Sequence, residues 1–248
     1  MLARDLARSL DPIEFAVDAG LDPDEWQRDL LIGDDRKILL NCCRQSGKST
    51  TAAMLALHDA FYSAPSLTIL ISPSQRQSTE LFRKVATFYH HVEGAPEAEL
   101  ESALRLELKN GSRIVSLPGS EATVRGYSAA NTVVIDEASR VPDDLIAAVR
   151  PMLATTRGRM IGLSTPYGKR GWFYETWENG ADWKKVRITA DDCPRITPEF
   201  LEDERREMGE WLFRQEYYCE FVDTEEQFFS SAVIEAALKD TGGPLWSG

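Results

Sequence analysis

Short apolar runs and longer stretches with helical spacing alternate along the 248-residue chain. Residues 38–40, 66–72 and 133–135, and a run within 157–168, are dominated by Ile, Leu, Val and Met and end at polar residues. Such runs mark strands covered on both faces. Between the first two lies the helix-forming run 50–61. After the second, Leu81, Phe82, Val85, Phe88 and Tyr89 fall at helical spacing. The alternation predicts an α/β fold with a mainly parallel central sheet flanked by helices. Residues 104–117 alternate apolar and polar around Asn110 and Gly111, which predicts a β-hairpin excursion from that sheet.

The remaining pattern is more local. Residues 1–20 read as one or two short helices, the second entered at Asp11 and Pro12, and 21–31 as a helix begun by Asp22 and Pro23. The acidic, turn-rich stretch 93–102 reads as a surface excursion. Residues 142–153, 172–177, 197–208 and 210–218 read as helices, 183–189 as an exposed strand and 219–222 as a last edge strand. Pattern is lost from Asp223 onward, where Phe228, Phe229 and Ala232 to Leu238 suit one docking helix. The expected organisation is therefore one domain over 1–222 and a linker or docking segment over 223–248.

Three strand ends carry chemistry. The apolar run 38–40 leads into Cys42-Cys43-Arg44-Gln45-Ser46-Gly47-Lys48-Ser49-Thr50 and then a helix. A loop feeding a helix N-terminus aims free N–H groups and a positive partial charge at one point, which is a phosphate site. Lys48 is placed to reach β- and γ-phosphates and the Ser49 hydroxyl to ligate Mg²⁺. The usual first glycine of such a loop is Cys42 here, so the loop alone does not decide the matter. The run 133–135 ends in Asp136 and Glu137, two acids at the sheet edge where open α/β sheets bind ligands. Asp136 would hold Mg²⁺, directly or through water, and Glu137 would orient an attacking water. A third run ends in Ser164 and Thr165, hydroxyls that either sense a γ-phosphate or cap a strand end. Gln27 offers an amide with donor and acceptor for an adenine edge, or is an ordinary solvated helix residue.

Bulk properties narrow the field. Four cysteines, Cys42, Cys43, Cys193 and Cys219, lack zinc spacing and read as small core residues. No run reaches membrane-spanning length and the N-terminus lacks an apolar leader, so a cytoplasmic location is expected. The net charge of −12 argues against wholesale nucleic-acid coating but leaves room for local contacts.

The ordered motifs resemble the ATPase domain of tailed-phage terminase large subunits. Trp26 and Gln27 match that family's adenine segment, and residues 43–50 match its deviant phosphate loop, in which an arginine precedes the Gly-Lys. Residues 133–138 match its Mg²⁺ and catalytic-acid motif, and Ser164-Thr165-Pro166 matches its coupling motif. The resemblance implies a phosphate-loop NTPase of the ASCE type that hydrolyses ATP with Mg²⁺ to translocate double-stranded DNA into a prohead. It implies cis phosphate contacts for Arg44, with Gln45, Ser46, Gly47 and Thr50 as loop contacts, and a finger reaching a neighbouring subunit for Arg125. It also implies a portal protein and a small subunit as partners, a homo-oligomeric ring during packaging, and the host cytoplasm as location.

The acidic balance predicts weak duplex binding by a monomer, with Arg157, Arg159, Lys169 and Arg170 as candidate contacts. No carboxylate cluster for the family's nuclease is present, so no nuclease activity is expected; residues 244–248 resemble the linker into it. Two alternatives stay open: another phosphate-loop motor such as a helicase, and a module that binds ATP without hydrolysis.

Overall fold

Within each apolar run, side chains alternate between the two faces of a sheet, and both faces are covered. Ile38 and Leu40 pack with Leu70, Val134, Ile161 and Leu163 in one cluster, while Leu39 packs with Ile69, Ile71, Val133 and Ile135 in the other. The computed structural model describes residues 2–119, 124 and 126–222. The expected segment 223–248, with its docking helix, and Arg125 lie outside the described residues.

The strands are β1 (Lys37–Cys42), β2 (Leu67–Ser72), β3 (Ala98–Glu101), β4 (Arg105–Leu108), β5 (Arg113–Pro118), β6 (Thr132–Asp136), β7 (Arg159–Ser164) and β8 (Lys184–Ile188). They form one sheet in the order β3-β4-β5-β2-β6-β7-β1-β8. The pairs from β5 through β2, β6, β7 and β1 to β8 are parallel, whereas β3 and β4 add antiparallel strands at one edge. Strand β7 lies between the phosphate-loop strand β1 and the Asp136 strand β6, the arrangement of ASCE-type phosphate-loop NTPases.

Helices α1 (Leu2–Leu10), α2 (Pro12–Asp18), α3 (Glu25–Ile32), α4 (Lys48–Tyr62) and α5 (Gln75–His91) precede the hairpin. Helices α6 (Asp143–Val149), α7 (Gly171–Asn179), α8 (Pro198–Met208) and α9 (Glu210–Tyr218) follow β6. Helices α2 to α5 contribute to the first cluster, and α6 and α7 to the second. Among the described residues no helix is long and apolar enough to cross a membrane.

Four local expectations change. The stretch 93–102 contains β3, because Glu97 to Glu101 alternate charge with Ala98 and Leu100, and acids on an edge strand discourage further pairing. The hairpin is part of the main sheet: its second strand, β5, pairs in parallel with β2 over its whole length. Helix α3 starts at Glu25 with Asp24 as its cap, two residues beyond the Asp22-Pro23 step. No strand forms at 219–222: Cys219 ends α9 in the left-handed region at φ 56°, and Phe221 packs on Phe173, Tyr174 and Trp177. The four cysteines are buried, as their small apolar character predicts.

Candidate active site

The end of β1 is buried between β7 and β8, so the chain must turn sharply to leave the sheet. Two residues with positive φ make that turn, Gln45 at 58° and Gly47 at 94°. Gly47 precedes the first residue of α4. A Cβ on it would stand 2.7 Å from Gln27 Nε2, so both conformation and space call for glycine. Thr51 N–H and its hydroxyl both donate to Gly47 O, at 3.0 and 3.2 Å, which fixes the first turn of α4. A 15-residue helix thus presents its N-terminus at the carboxyl edge of the sheet.

The chemical groups converge there. Lys48 is 8% exposed, with its Nζ 3.3 Å from Glu137 Oε1 and 3.4 Å from Thr165 Oγ1. Burial opposes the ammonium charge, but Glu137 and Asp136 outweigh it and hold its pKa above the ordinary lysine value. Ser49 Oγ donates to Asp136 Oδ2 at 3.0 Å. Burial and the neighbouring Glu137 push the Asp136 carboxyl up to about 6, against the pull of Lys48 and Ser49. Glu137 sits at φ 52°, a left-handed conformation that costs a non-glycine residue about 1–3 kcal/mol, and its N–H donates to Asp136 Oδ1 at 3.1 Å. The turn places the two adjacent carboxylates around one point instead of on opposite faces.

The hard oxygens of Ser49 and Asp136 fit Mg²⁺, which takes few protein ligands and leaves its other positions to water and phosphates. A buried carboxyl with a raised pKa is a group whose charge a divalent cation would restore. Among the described residues there is no cluster of three or more His, Cys, Asp or Glu that could hold a metal by itself.

Other expected residues fall into place differently. Gln27 is 2% exposed, not solvated; its Oε1 accepts from Asp24 N at 2.9 Å and its Nε2 lies against Gly47. The acceptor half of the amide therefore caps α3. Arg44 Nε pairs with Glu216 Oε2 at 2.5 Å, and its N–H donates to Glu216 O at 3.0 Å, which fastens the loop to α9. The Ser46 side chain is buried and Ser46 O accepts from Arg195 Nη2 at 3.1 Å. Thr50 Oγ1 accepts from Lys84 Nζ of α5 at 3.2 Å. Thr165 borders the site, but the Ser164 hydroxyl is turned away, 2.7 Å from Ser139 Oγ, so it joins the coupling turn to the turn after Glu137.

Arg44, Gln45, Lys48, Glu137 and Thr165 line a cavity of about 590 Å³, together with Gln77, Arg140 and Glu216. The last three were not foreseen. Arg140 stacks over Tyr167, its guanidinium carbon 4.0 Å from the ring centroid, so residues just after Glu137 and just after Thr165 meet. Its position three residues after Glu137 was a usable signal. For Glu216 and Arg195, distant in sequence, there was none. Arg195 makes two 2.7 Å bonds to Asp24, linking the cap of α3 to the phosphate loop.

A phosphate turn on β1, acids ending β6, hydroxyls ending β7 and the strand order define a phosphate-loop NTPase of the ASCE type. The chain belongs to the terminase large subunit family: the model "Terminase large subunit, T4likevirus-type, N-terminal" matches residues 39–235. It is 28% identical over 224 residues to the terminase large subunit of Thermus phage G20c, covering 75% of this chain and 46% of that protein. The chain thus spans less than half the length of that relative. In fold it is similar to the large terminase ATPase domain of Thermus phage P74-26, with a TM-score of 0.75 and 24% identity over 84% of this chain and 98% of that one. It is similar too to the large terminase of a thermophilic bacteriophage in complex with ATP-gamma-S, with a TM-score of 0.66 and 13% identity over 80% of this chain and 53% of that one.

Proposed function

We propose that this chain is the ATPase part of a terminase large subunit, and that its Mg²⁺-dependent ATP hydrolysis drives double-stranded DNA into a viral prohead. The observation that carries the reading is the cluster of Lys48, Ser49, Asp136, Glu137 and Thr165 at one sheet edge, beneath the N-terminus of α4. Lys48 and Glu137 pair with each other at 3.3 Å. An incoming γ-phosphate competes for the Lys48 ammonium, and Glu137 is released to accept a hydrogen bond from water and align it for in-line attack. The N–H groups of the loop and of the first turn of α4 hold the phosphate oxygens. Ser49 and Asp136 would hold Mg²⁺, which when bound neutralises charge on the β- and γ-phosphate oxygens.

Arg44 extends into the cavity from its anchor on Glu216 and is assigned to phosphate contact in cis. Arg125 is assigned to a neighbour's site by family resemblance alone. The thermophilic-phage terminase is described in complex with ATP-gamma-S, which supports nucleotide binding by this chain. Double-stranded DNA, a portal protein, a small subunit and a packaging ring in the host cytoplasm belong to this proposal, with family membership as their support.

A phosphate-release assay tests the reading. Wild-type protein is expected to hydrolyse ATP, to stop when EDTA removes divalent cations, and to lose turnover but keep ATP binding in Glu137→Gln. Binding without hydrolysis by the unsubstituted protein, including after assembly into a ring, would leave only the nucleotide-binding module.

A further inference from the structure

The opposite, amino edge of the sheet carries a second concentration of charge with a different character. Arg36 and Lys37 lead into β1, Arg150 follows α6, Arg157 precedes β7 and Trp183 precedes β8. With Asp182 they line a cavity of about 550 Å³. Asp182 is the single carboxylate among the lining residues, and it pairs with Lys37. Arg150 feels Asp182 only as a longer-range attraction. Neither Arg36 nor Arg157 has an ion-pair or side-chain hydrogen-bond partner among the described residues.

That is unusual for this chain. With 40 acids against 28 bases, its arginines elsewhere are commonly neutralised: Arg4, Arg8, Arg28, Arg44, Arg195, Arg205, Arg206 and Arg214 all pair with carboxylates. Among the described residues, the amino edge leaves three guanidiniums without a close ion-pair partner around one hollow.

The hollow is also built rigidly. Arg157 is held at φ 53°, in the left-handed region that non-glycine residues rarely occupy. Its turn is pinned on both sides: Thr156 Oγ1 donates to Ala130 O at 2.5 Å, and Gly158 N donates to Thr156 Oγ1 at 3.2 Å. A Cβ on Gly158 would lie 2.4 Å from Asn131 O, so the chain passes here at the closest possible approach. Arg36 is fixed from its own backbone, where its carbonyl accepts from Met160 N at 2.7 Å. Trp183 rests edge-on against Trp172, with ring centroids 5.4 Å apart, and forms an apolar wall.

We infer that this amino-edge hollow, lined by Arg36, Arg150 and Arg157, binds the phosphodiester backbone of a nucleic acid. Planar guanidiniums without a close carboxylate partner among the described residues match phosphate oxygens in paired hydrogen bonds. Three such groups held on strand ends and a pinned turn fix position without reading base sequence. The hollow lies one strand length, about 20 Å, from Lys48, so a backbone held here does not compete with ATP. Of the four basic residues expected from sequence to meet DNA, Arg157 belongs to this hollow. Arg159 does not: its guanidinium donates to Gly33 O and Asp35 O. The choice of DNA as the nucleic acid rests on the function proposed above; the phosphodiester site itself does not.

The test is duplex binding by fluorescence anisotropy across a salt series, run beside the phosphate-release assay on the same preparations. Arg150→Gln/Arg157→Gln should weaken binding at low salt by roughly tenfold or more. It should also reduce the slope of log affinity against log salt by about 2, with basal ATP turnover unchanged. Arg36→Gln/Arg150→Gln should behave alike, which guards against a folding defect at the Arg157 turn. The control Arg205→Gln/Arg206→Gln changes net charge equally on α8.

The inference is overturned if the control loses as much affinity as the test pairs, or if unsubstituted protein shows no duplex binding at low salt. It is overturned too if the test pairs lose binding of inorganic tripolyphosphate but keep the duplex, which would make the hollow a free-phosphate site. Loss of self-association with duplex binding intact would assign the arginines to the acidic surface of a second copy. If unsubstituted protein fails to hydrolyse ATP while the test pairs still lose the duplex, the ATPase reading fails and this one stands.

Discussion

The two edges of one sheet use charge in opposite ways. At the carboxyl edge Lys48 pairs with Glu137 at 3.3 Å and Ser49 donates to Asp136 at 3.0 Å, with Lys48 and Asp136 both buried. At the amino edge Arg36, Arg150 and Arg157 are exposed and lack close ion-pair partners among the described residues. A buried pair is poised for a small ligand that must displace its internal partner, which favours one charge pattern and one geometry. Exposed unmatched cations suit a long polyanion that needs only register and charge. Strain follows function at both edges, in Glu137 at one and Arg157 at the other.

Substitutions can break this contrast, and the largest effect belongs at the carboxyl edge. Glu137→Gln should lower kcat for ATP by about 10²- to 10⁴-fold, the usual worth of a positioned base, with ATP affinity kept. Lys48→Ala leaves Asp136 and Glu137 together without their cation. It should weaken ATP binding by roughly 30-fold or more in calorimetry, as the loss of one member of a buried charge pair does.

Arg195→Ala removes the tie between the α3 cap and Ser46 O. It should raise KM for ATP by about tenfold with little change in kcat. Arg195→Lys should recover only part of this, because an ammonium cannot make the paired bonds to Asp24. A drop in kcat alone would place Arg195 elsewhere in the cycle. Smallest of all, Arg36→Gln at the amino edge should change DNA-free turnover by less than about twofold, since exposed charges a strand length away are screened. A larger change would join the two edges into one site.

Lys48, Ser49, Asp136 and Glu137 are legible in the sequence because each lies within a few residues of a strand end, and a strand end at a sheet edge shows in local pattern. The environment of Gln27 is not, because helical spacing does not reveal that the phosphate loop folds back over α3. Ser164 and Thr165 were found together, yet adjacent residues on an extended chain point apart, and only Thr165 borders Lys48. Strand β3 was missed because acids outnumber apolar residues in its segment, and an edge strand needs few of the latter.

What the chain determines locally is its periodicity and its turns. The apolar runs call for a covered parallel sheet, Gly47 and Glu137 sit where the backbone must turn, and the motif order specifies a terminase-like phosphate-loop domain. Tertiary structure alone decided which distant residues meet. Glu216 reaches Arg44 across 172 positions and Arg195 reaches Asp24 across 171. The amino-edge hollow draws Arg36 from the connection before β1 and Arg150 and Arg157 from the connection between β6 and β7. Such meetings depend on strand order and on which connections cross at each edge, and no local periodicity encodes that.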